Sequence, residues 1–151
     1  MKNFESVDEI LDFAIAREES AYAFYTKWAG KSKNQGISKF FAELAAEENV
    51  HKEKLLEIKA GKELESSTAQ VKNLMISEFT VVSKIDEDSN YQDALLAAMK
   101  REKAAFKFYT ALSELADDEK LVAFFKMLAQ EEAKHKLKLE LEYDENILSE
   151  N

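Results

Sequence analysis

The chain has 151 residues, 46% of them hydrophobic and 34% charged, which is typical of one globular domain over residues 1–151 rather than of a disordered protein. The formal net charge of −9 argues against a nucleic-acid partner, because such proteins need clustered lysines and arginines. The absence of cysteine excludes disulfides, iron–sulfur clusters and thiolate zinc sites. The absence of proline and the presence of only three glycines favour long helices.

The first thirteen residues carry Glu5, Asp8, Glu9 and Asp12, so they do not form the apolar stretch of a signal peptide. No stretch of 18 uninterrupted apolar residues could span a membrane. We therefore expect a soluble cytoplasmic protein without a membrane partner.

The first helix is predicted over residues 7–30, behind a capping box that begins at Ser6. The second is predicted over 36–60, after a short connection that makes the pair an antiparallel hairpin. Both carry apolar stripes at alternating spacings of three and four residues. The stripes are Leu11, Ala14, Glu18, Ala21, Tyr25 and Trp28, and then Ile37, Phe41, Leu44, Glu48, His51, Leu55 and Ile58.

A long crossover is predicted from about residue 61 to residue 89, with one short helix and an apolar part that covers the helices. Helices over 91–115 and 119–143 then form a second hairpin, with Asn90 as the predicted cap of the third helix. Their stripes are Leu95, Ala98, Glu102, Ala105, Tyr109 and Leu112, and then Leu121, Phe125, Leu128, Glu132, His135 and Leu139.

The second hairpin repeats the first with a single offset of 84 residues. Glu18 and Glu102 are separated by this offset (102 − 18 = 84), and so are His51 and His135 (135 − 51 = 84). A duplicated supersecondary unit explains such an ungapped match better than coincidence. The same offset pairs Arg17 with Arg101, Phe24-Tyr25-Thr26 with Phe108-Tyr109-Thr110, Phe40-Phe41 with Phe124-Phe125, and Glu47-Glu48 with Glu131-Glu132.

Six ionisable residues occupy apolar stripes, where an isolated charge is costly unless it is paired, protonated or bound to a cation. In two of the helices a glutamate and a histidine stand at i and i+3, on one face, so both can reach one metal ion. Four carboxylates balance two divalent ions, and mixed carboxylate and imidazole ligands suit iron or manganese, although zinc can enter. A lone Glu-x-x-His is weak evidence, but here both histidines of the chain carry it in repeat-equivalent places. The predicted metal ligands are Glu18, Glu48, His51, Glu102, Glu132 and His135.

The predicted ligand set consists of one glutamate from each of two helices and Glu-x-x-His from each of the other two. This pattern resembles that of the ferritin-like di-iron superfamily, and within it the rubrerythrin-like branch. The resemblance covers about residues 7–143 and implies an all-α, ferritin-like four-helix bundle. It further implies that Glu18 and Glu102 bridge two iron ions, and that each Glu-x-x-His pair completes the ligand shell of one ion. Two departures count against a rubrerythrin-type peroxidase cycle. The chain lacks the cysteines of a rubredoxin iron, and it has Ala105 where rubrerythrins commonly carry an extra glutamate.

Residues beside the ligands are expected to have more ordinary roles, with one alternative. Tyr25 and Tyr109 are either core residues or partners that orient the bridging glutamate of the other hairpin, Tyr25 for Glu102 and Tyr109 for Glu18. Arg17 and Arg101 are expected to pair with surface acids. Glu19, Glu47 and Glu131 are expected to be solvated, and Phe13, Phe24, Phe40, Phe41, Phe106, Phe124 and Phe125 to lie in the core.

The leading functional hypothesis is a di-iron oxidoreductase whose two ferrous ions are oxidised by peroxide or dioxygen. An external electron donor would recycle the iron, since the chain has no second redox centre. We expect a homo-oligomer, with a dimer favoured. The alternatives are a ferroxidase that stores iron in a ferritin-type assembly, and a non-catalytic helical interaction module whose metal is structural or absent.

Overall fold

A computed structural model describes residues 4, 6–61, 78–81, 85 and 89–148. It contains four long helices: α1 (Val7–Lys31), α2 (Gln35–Gly61), α3 (Tyr91–Leu115) and α4 (Glu119–Tyr143). A single π-helical turn, Asp144–Leu148, follows α4, and the described residues contain no strand. The all-α prediction and the four predicted spans are confirmed, with each helix boundary within one residue of its expected position.

Side-chain caps explain where the helices begin. Ser6 Oγ accepts a hydrogen bond of 3.0 Å from the backbone amide of Glu9, which satisfies one of the free donors at the start of α1. The predicted cap at Asn90 is a full capping box. Its side chain accepts from the amide of Asp93, and the Asp93 carboxylate accepts from the amide of Asn90. Asp118 caps α4 by accepting from the amide of Lys120.

Helices α1 and α2 form one compact unit around an aromatic and aliphatic core. Tyr25 of α1 stacks on Phe41 of α2, with ring centroids 6.0 Å apart. Phe4, ahead of α1, packs edge-on against Phe13 at 5.3 Å and is almost wholly buried. The other buried hydrophobic residues of this unit include Ile10, Leu11, Ala14, Phe24, Trp28, Leu44, Leu55 and Ile58.

Helices α3 and α4 form the second compact unit. Phe79, from the connection that precedes α3, is buried and meets Phe108 edge-on at 5.2 Å. The expectation that apolar residues of the crossover cover a helix is therefore met at Phe79. Most of the crossover, residues 62–77, 82–84 and 86–88, lies outside the described residues, so its expected short helix stays a prediction. The buried hydrophobic residues of α3 and α4 include Ala94, Leu95, Ala98, Leu112, Leu121, Phe125, Leu128 and Leu139.

The phenylalanine predictions were partly wrong. Phe24, Phe41 and Phe125 are buried as expected. Phe106 is 40% exposed, because it follows the stripe residue Ala105 by one position and is turned about 100° from it. Three others are half-buried, in line with their places at the edge of the stripes: Phe13, Phe40 and Phe124.

The two hairpins differ on their surfaces. In the first, Lys52 of α2 pairs with Glu19 of α1, with the ammonium nitrogen 3.4 Å from a carboxylate oxygen. The corresponding residues of the second hairpin are both cations, Lys103 and Lys136, and they line one groove together with Phe106. None of the helices among the described residues is long and apolar enough to cross a membrane.

Candidate metal centre

The first hairpin brings three of the predicted ligands together. Glu18 lies on α1, and Glu48 and His51 lie one turn apart on α2. His51 Nδ1 is 3.2 Å from Glu48 Oε1 and 3.9 Å from Glu18 Oε2. Each of the three residues offers one ligand atom, and these atoms all lie within 4.8 Å of one another.

The second hairpin repeats this arrangement. Glu102 lies on α3, and Glu132 and His135 lie one turn apart on α4. His135 Nδ1 is 3.1 Å from Glu132 Oε1 and 3.7 Å from Glu102 Oε2, so the equivalent distances of the two hairpins agree to within about 0.2 Å. The 84-residue repeat is thus a repeat of side-chain geometry as well as of sequence.

Both clusters place ionisable side chains away from solvent, where their charges need a partner. All four glutamates are fully buried, and the two histidines are 5% and 1% exposed. Burial alone lowers the pKa of His135, but hydrogen bonds and charge interactions with Glu102 and Glu132 outweigh it and raise the pKa to about 11. The carboxylates of this cluster therefore favour a positive charge beside them.

Arg17 lies against the first cluster, in a place not expected from the sequence. The expectation that it pairs with a surface acid was wrong. Its Nη1 donates hydrogen bonds to Glu18 Oε1 at 2.8 Å and to Glu48 Oε2 at 3.0 Å, two fully buried oxygens of the first cluster. The repeat offered the signal that could have found it, since an arginine directly precedes the stripe glutamate in both hairpins.

The neighbouring acids stand apart from the clusters to different degrees. Glu19 is exposed and pairs with Lys52, as expected for a solvated side chain. Glu47 and Glu131 are half-buried, so they are less solvated than predicted. The position where rubrerythrins commonly add a glutamate is held by Ala105, which is 3% exposed and cannot supply a ligand.

Tyr25 and Tyr109 are among the most deeply buried side chains of their hairpins, at 1% and 0% exposure. Tyr25 also meets Phe24 edge-on at 5.4 Å, and Tyr109 packs beside Phe108 at 5.3 Å. Their predicted place in the core is therefore confirmed. Their alternative role, in orienting a glutamate of the other hairpin, stays a prediction.

The donor set of each hairpin fits a transition-metal ion. Carboxylate oxygens and an imidazole nitrogen are ligands that iron and manganese accept. Two donors on one ion stand at most about 4.4 Å apart when each bond is about 2.2 Å. The distances of 3.1–3.9 Å between the histidine nitrogens and the carboxylate oxygens fall inside that limit. Small side-chain adjustments would therefore close either cluster on an ion.

Comparison with known proteins gives a consistent result. The model of the rubrerythrin family matches residues 9–143, which is most of the chain. A solved structure from Thermotoga maritima, described as a candidate ferritin-like diiron-carboxylate protein, superposes with a TM-score of 0.77 at 24% identity. That match covers 97% of this chain and 99% of the other, and it shows that the two share a fold. No curated protein matches the chain.

Proposed function

The chain belongs to the rubrerythrin family, and from this premise we propose that it is a di-iron oxidoreductase whose ferrous ions are oxidised by peroxide or dioxygen. The observation that carries the proposal is the pair of equivalent clusters, each with two fully buried glutamates and one buried histidine. A structural role alone would not need six ionisable groups in place of apolar side chains, because burying charges without a partner is costly.

The charges of the six residues favour two divalent ions. Four glutamates supply four negative charges, and two neutral imidazoles add nitrogen ligands without charge. One ion in each hairpin would be held by Glu18, Glu48 and His51, or by Glu102, Glu132 and His135. Two ferrous ions held in this way would supply the two electrons that, with two protons, reduce one hydrogen peroxide to two waters.

The protein's own residues contribute position and desolvation. The histidines, at 5% and 1% exposure, must present Nδ1 without its proton to bind metal, and the nearest glutamate oxygens lie 3.2 and 3.1 Å from that nitrogen, close enough to share one ion. Ala105, one turn beyond Glu102, is buried and has no ligand atom, so this position would add no further carboxylate to the coordination shell. An open coordination position is what an oxidant requires.

The test is anaerobic loading with ferrous iron, followed by metal analysis and rapid mixing with either peroxide or dioxygen. We expect about two ions per chain and a fast rise in near-ultraviolet absorbance as the iron is oxidised. Glu132→Gln should lose most of this change, while Glu131→Gln, its half-buried neighbour, should keep it. Metal content well below one ion per chain would refute the proposal.

The same experiment, together with size-exclusion chromatography, separates the alternatives. A faster reaction with peroxide than with dioxygen supports a peroxidase. Preference for dioxygen, with repeated turnover of added ferrous iron and a closed particle of high mass, supports ferroxidase and storage. Bound metal without an absorbance change on mixing indicates a structural metal in an interaction module.

A further inference from the structure

Arg17 lies between the two carboxylates of the first hairpin's cluster. A single guanidinium nitrogen, Nη1, donates to one oxygen of Glu18 and to one oxygen of Glu48, at 2.8 and 3.0 Å. The arginine side chain is 14% exposed, whereas both glutamates are fully buried. It therefore reaches the cluster from the partly solvated side of the hairpin.

The two glutamates divide their oxygens between Arg17 and His51. Arg17 holds Glu18 Oε1 and Glu48 Oε2. The other oxygen of each, Glu18 Oε2 and Glu48 Oε1, is turned toward His51 Nδ1. The arginine and the histidine thus contact opposite edges of the same pair of carboxylates.

We propose that Arg17 is a positioning residue for the metal position of the first hairpin. By holding one oxygen of Glu18 and of Glu48, it keeps the other oxygen of each directed at the place that His51 Nδ1 also faces. The inference rests on metal binding by this cluster, as in the proposed function, and not on the oxidation reaction.

Two physical arguments favour positioning over mere charge neutralisation. A guanidinium is planar and offers fixed N–H directions, so its bonds restrict the rotation of each carboxylate more than a mobile counter-ion would. Arg17 also uses the oxygens that are turned away from His51. Groups that orient metal ligands in this way typically contribute a factor of ~10–100 to metal affinity.

The test isolates the first metal position. In a His135→Ala background the second cluster loses its nitrogen ligand and should bind metal more weakly. The higher-affinity binding step that remains then reports the first cluster. Affinity for manganese(II) is measured by competition with a coloured chelator, with and without Arg17→Gln. We expect Arg17→Gln to weaken binding by ~10–100-fold in this background. In a His51→Ala background, where the remaining ion reports the second cluster, it should change nothing.

Two further variants keep the result interpretable. Lys52 follows His51 in the chain, and its ammonium pairs with Glu19. Lys52→Gln removes the same charge as Arg17→Gln does, and it should leave the metal affinity unchanged. Arg17→Lys keeps the charge and one donating nitrogen, but its flexible ammonium lacks the fixed N–H directions of the guanidinium, so its affinity should fall between those of the parent and of Arg17→Gln. If Arg17→Gln is too unstable to assay, Arg17→Lys alone still tests the geometry.

The outcomes that overturn the inference are specific. Equal or tighter binding by Arg17→Gln would mean that the arginine only neutralises the acids or competes with the metal. An Arg17→Lys variant that binds like the parent, or an equal loss in Lys52→Gln, would show that charge alone matters. Failure of the parent itself to bind either manganese(II) or, under anaerobic conditions, ferrous iron would refute the inference together with the proposed function. Metal binding without oxidation would leave the inference standing.

Discussion

Replacing Glu48 with glutamine should remove a large part of the stabilisation that metal binding gives to the protein. Glu48 is fully buried, and its two oxygens contact His51 and Arg17. Glutamine keeps the size of the side chain but loses the negative charge that an ion requires. Glu47, the preceding residue, is half-buried, and Glu47→Gln provides the matched control.

The size of the effect follows from the presence of two equivalent clusters. One ion at a free concentration of 100 times its Kd stabilises the folded state by ~2.7 kcal/mol. For a protein of this size that corresponds to an increase in Tm of about 5–11 °C for one ion, and about 11–22 °C for two. Wild type and Glu47→Gln should show the larger gain. Glu48→Gln should retain at most half of it.

The assay is a thermal melt of metal-free protein and of protein saturated with manganese(II), monitored by circular dichroism. An equal loss of the metal-induced gain in Glu47→Gln and Glu48→Gln would refute the assignment of ligands on α2. A full gain in Glu48→Gln would show that its carboxylate does not bind the metal.

Two other predictions concern the framework around the clusters. Phe125→Ala should lower the free energy of unfolding by about 3–5 kcal/mol, because Phe125 is fully buried. Phe124→Ala, at the half-buried neighbouring position, should lower it clearly less, and urea unfolding measures both. An equal cost would contradict the stripe assignment of α4. Burial and a hydrogen bond of 2.7 Å from the Tyr91 hydroxyl to Glu142 raise the pKa of Tyr91. The bond should therefore contribute fully to folding stability below the unfolded pKa of about 10, and its contribution should be lost at higher pH. Tyr91→Phe should therefore lower stability at neutral pH by about 1–3 kcal/mol, and a stability difference between the two proteins that grows as the pH rises above 10 would contradict this.

The sequence predicted the helices and the clustering within each hairpin because both depend on local periodicity. Glu48 and His51 are three residues apart on one helix, so their shared direction follows from helical geometry alone. Glu18 joins them because an antiparallel hairpin with a short connection places the apolar stripes of its two helices face to face. The repeat then supplied an independent check of each position.

Long side chains off the stripe were less predictable. Arg17 lies beside the stripe, yet its side chain spans the distance from α1 to Glu48 on α2; the repeat marks the position, but helical periodicity does not give this contact. For Phe106 the error was the opposite one: burial was predicted, but a large apolar residue at the edge of a stripe can remain exposed. Both errors concern residues whose direction depends on rotamers and on the neighbouring helix.

Lys52 pairs with Glu19 in the first hairpin, whereas the equivalent positions of the second hairpin hold two cations. This difference has a consequence for how such a protein can evolve. After a duplication inside one gene, each half is free to change its outer face while the ligand-bearing face is retained. The two ligand clusters are then related by duplication within a single chain, alike in their side chains but placed beside different surface charges. Selection can adjust the surroundings of one cluster without altering those of the other, an independence that a symmetric dimer of identical subunits cannot reach by point mutation.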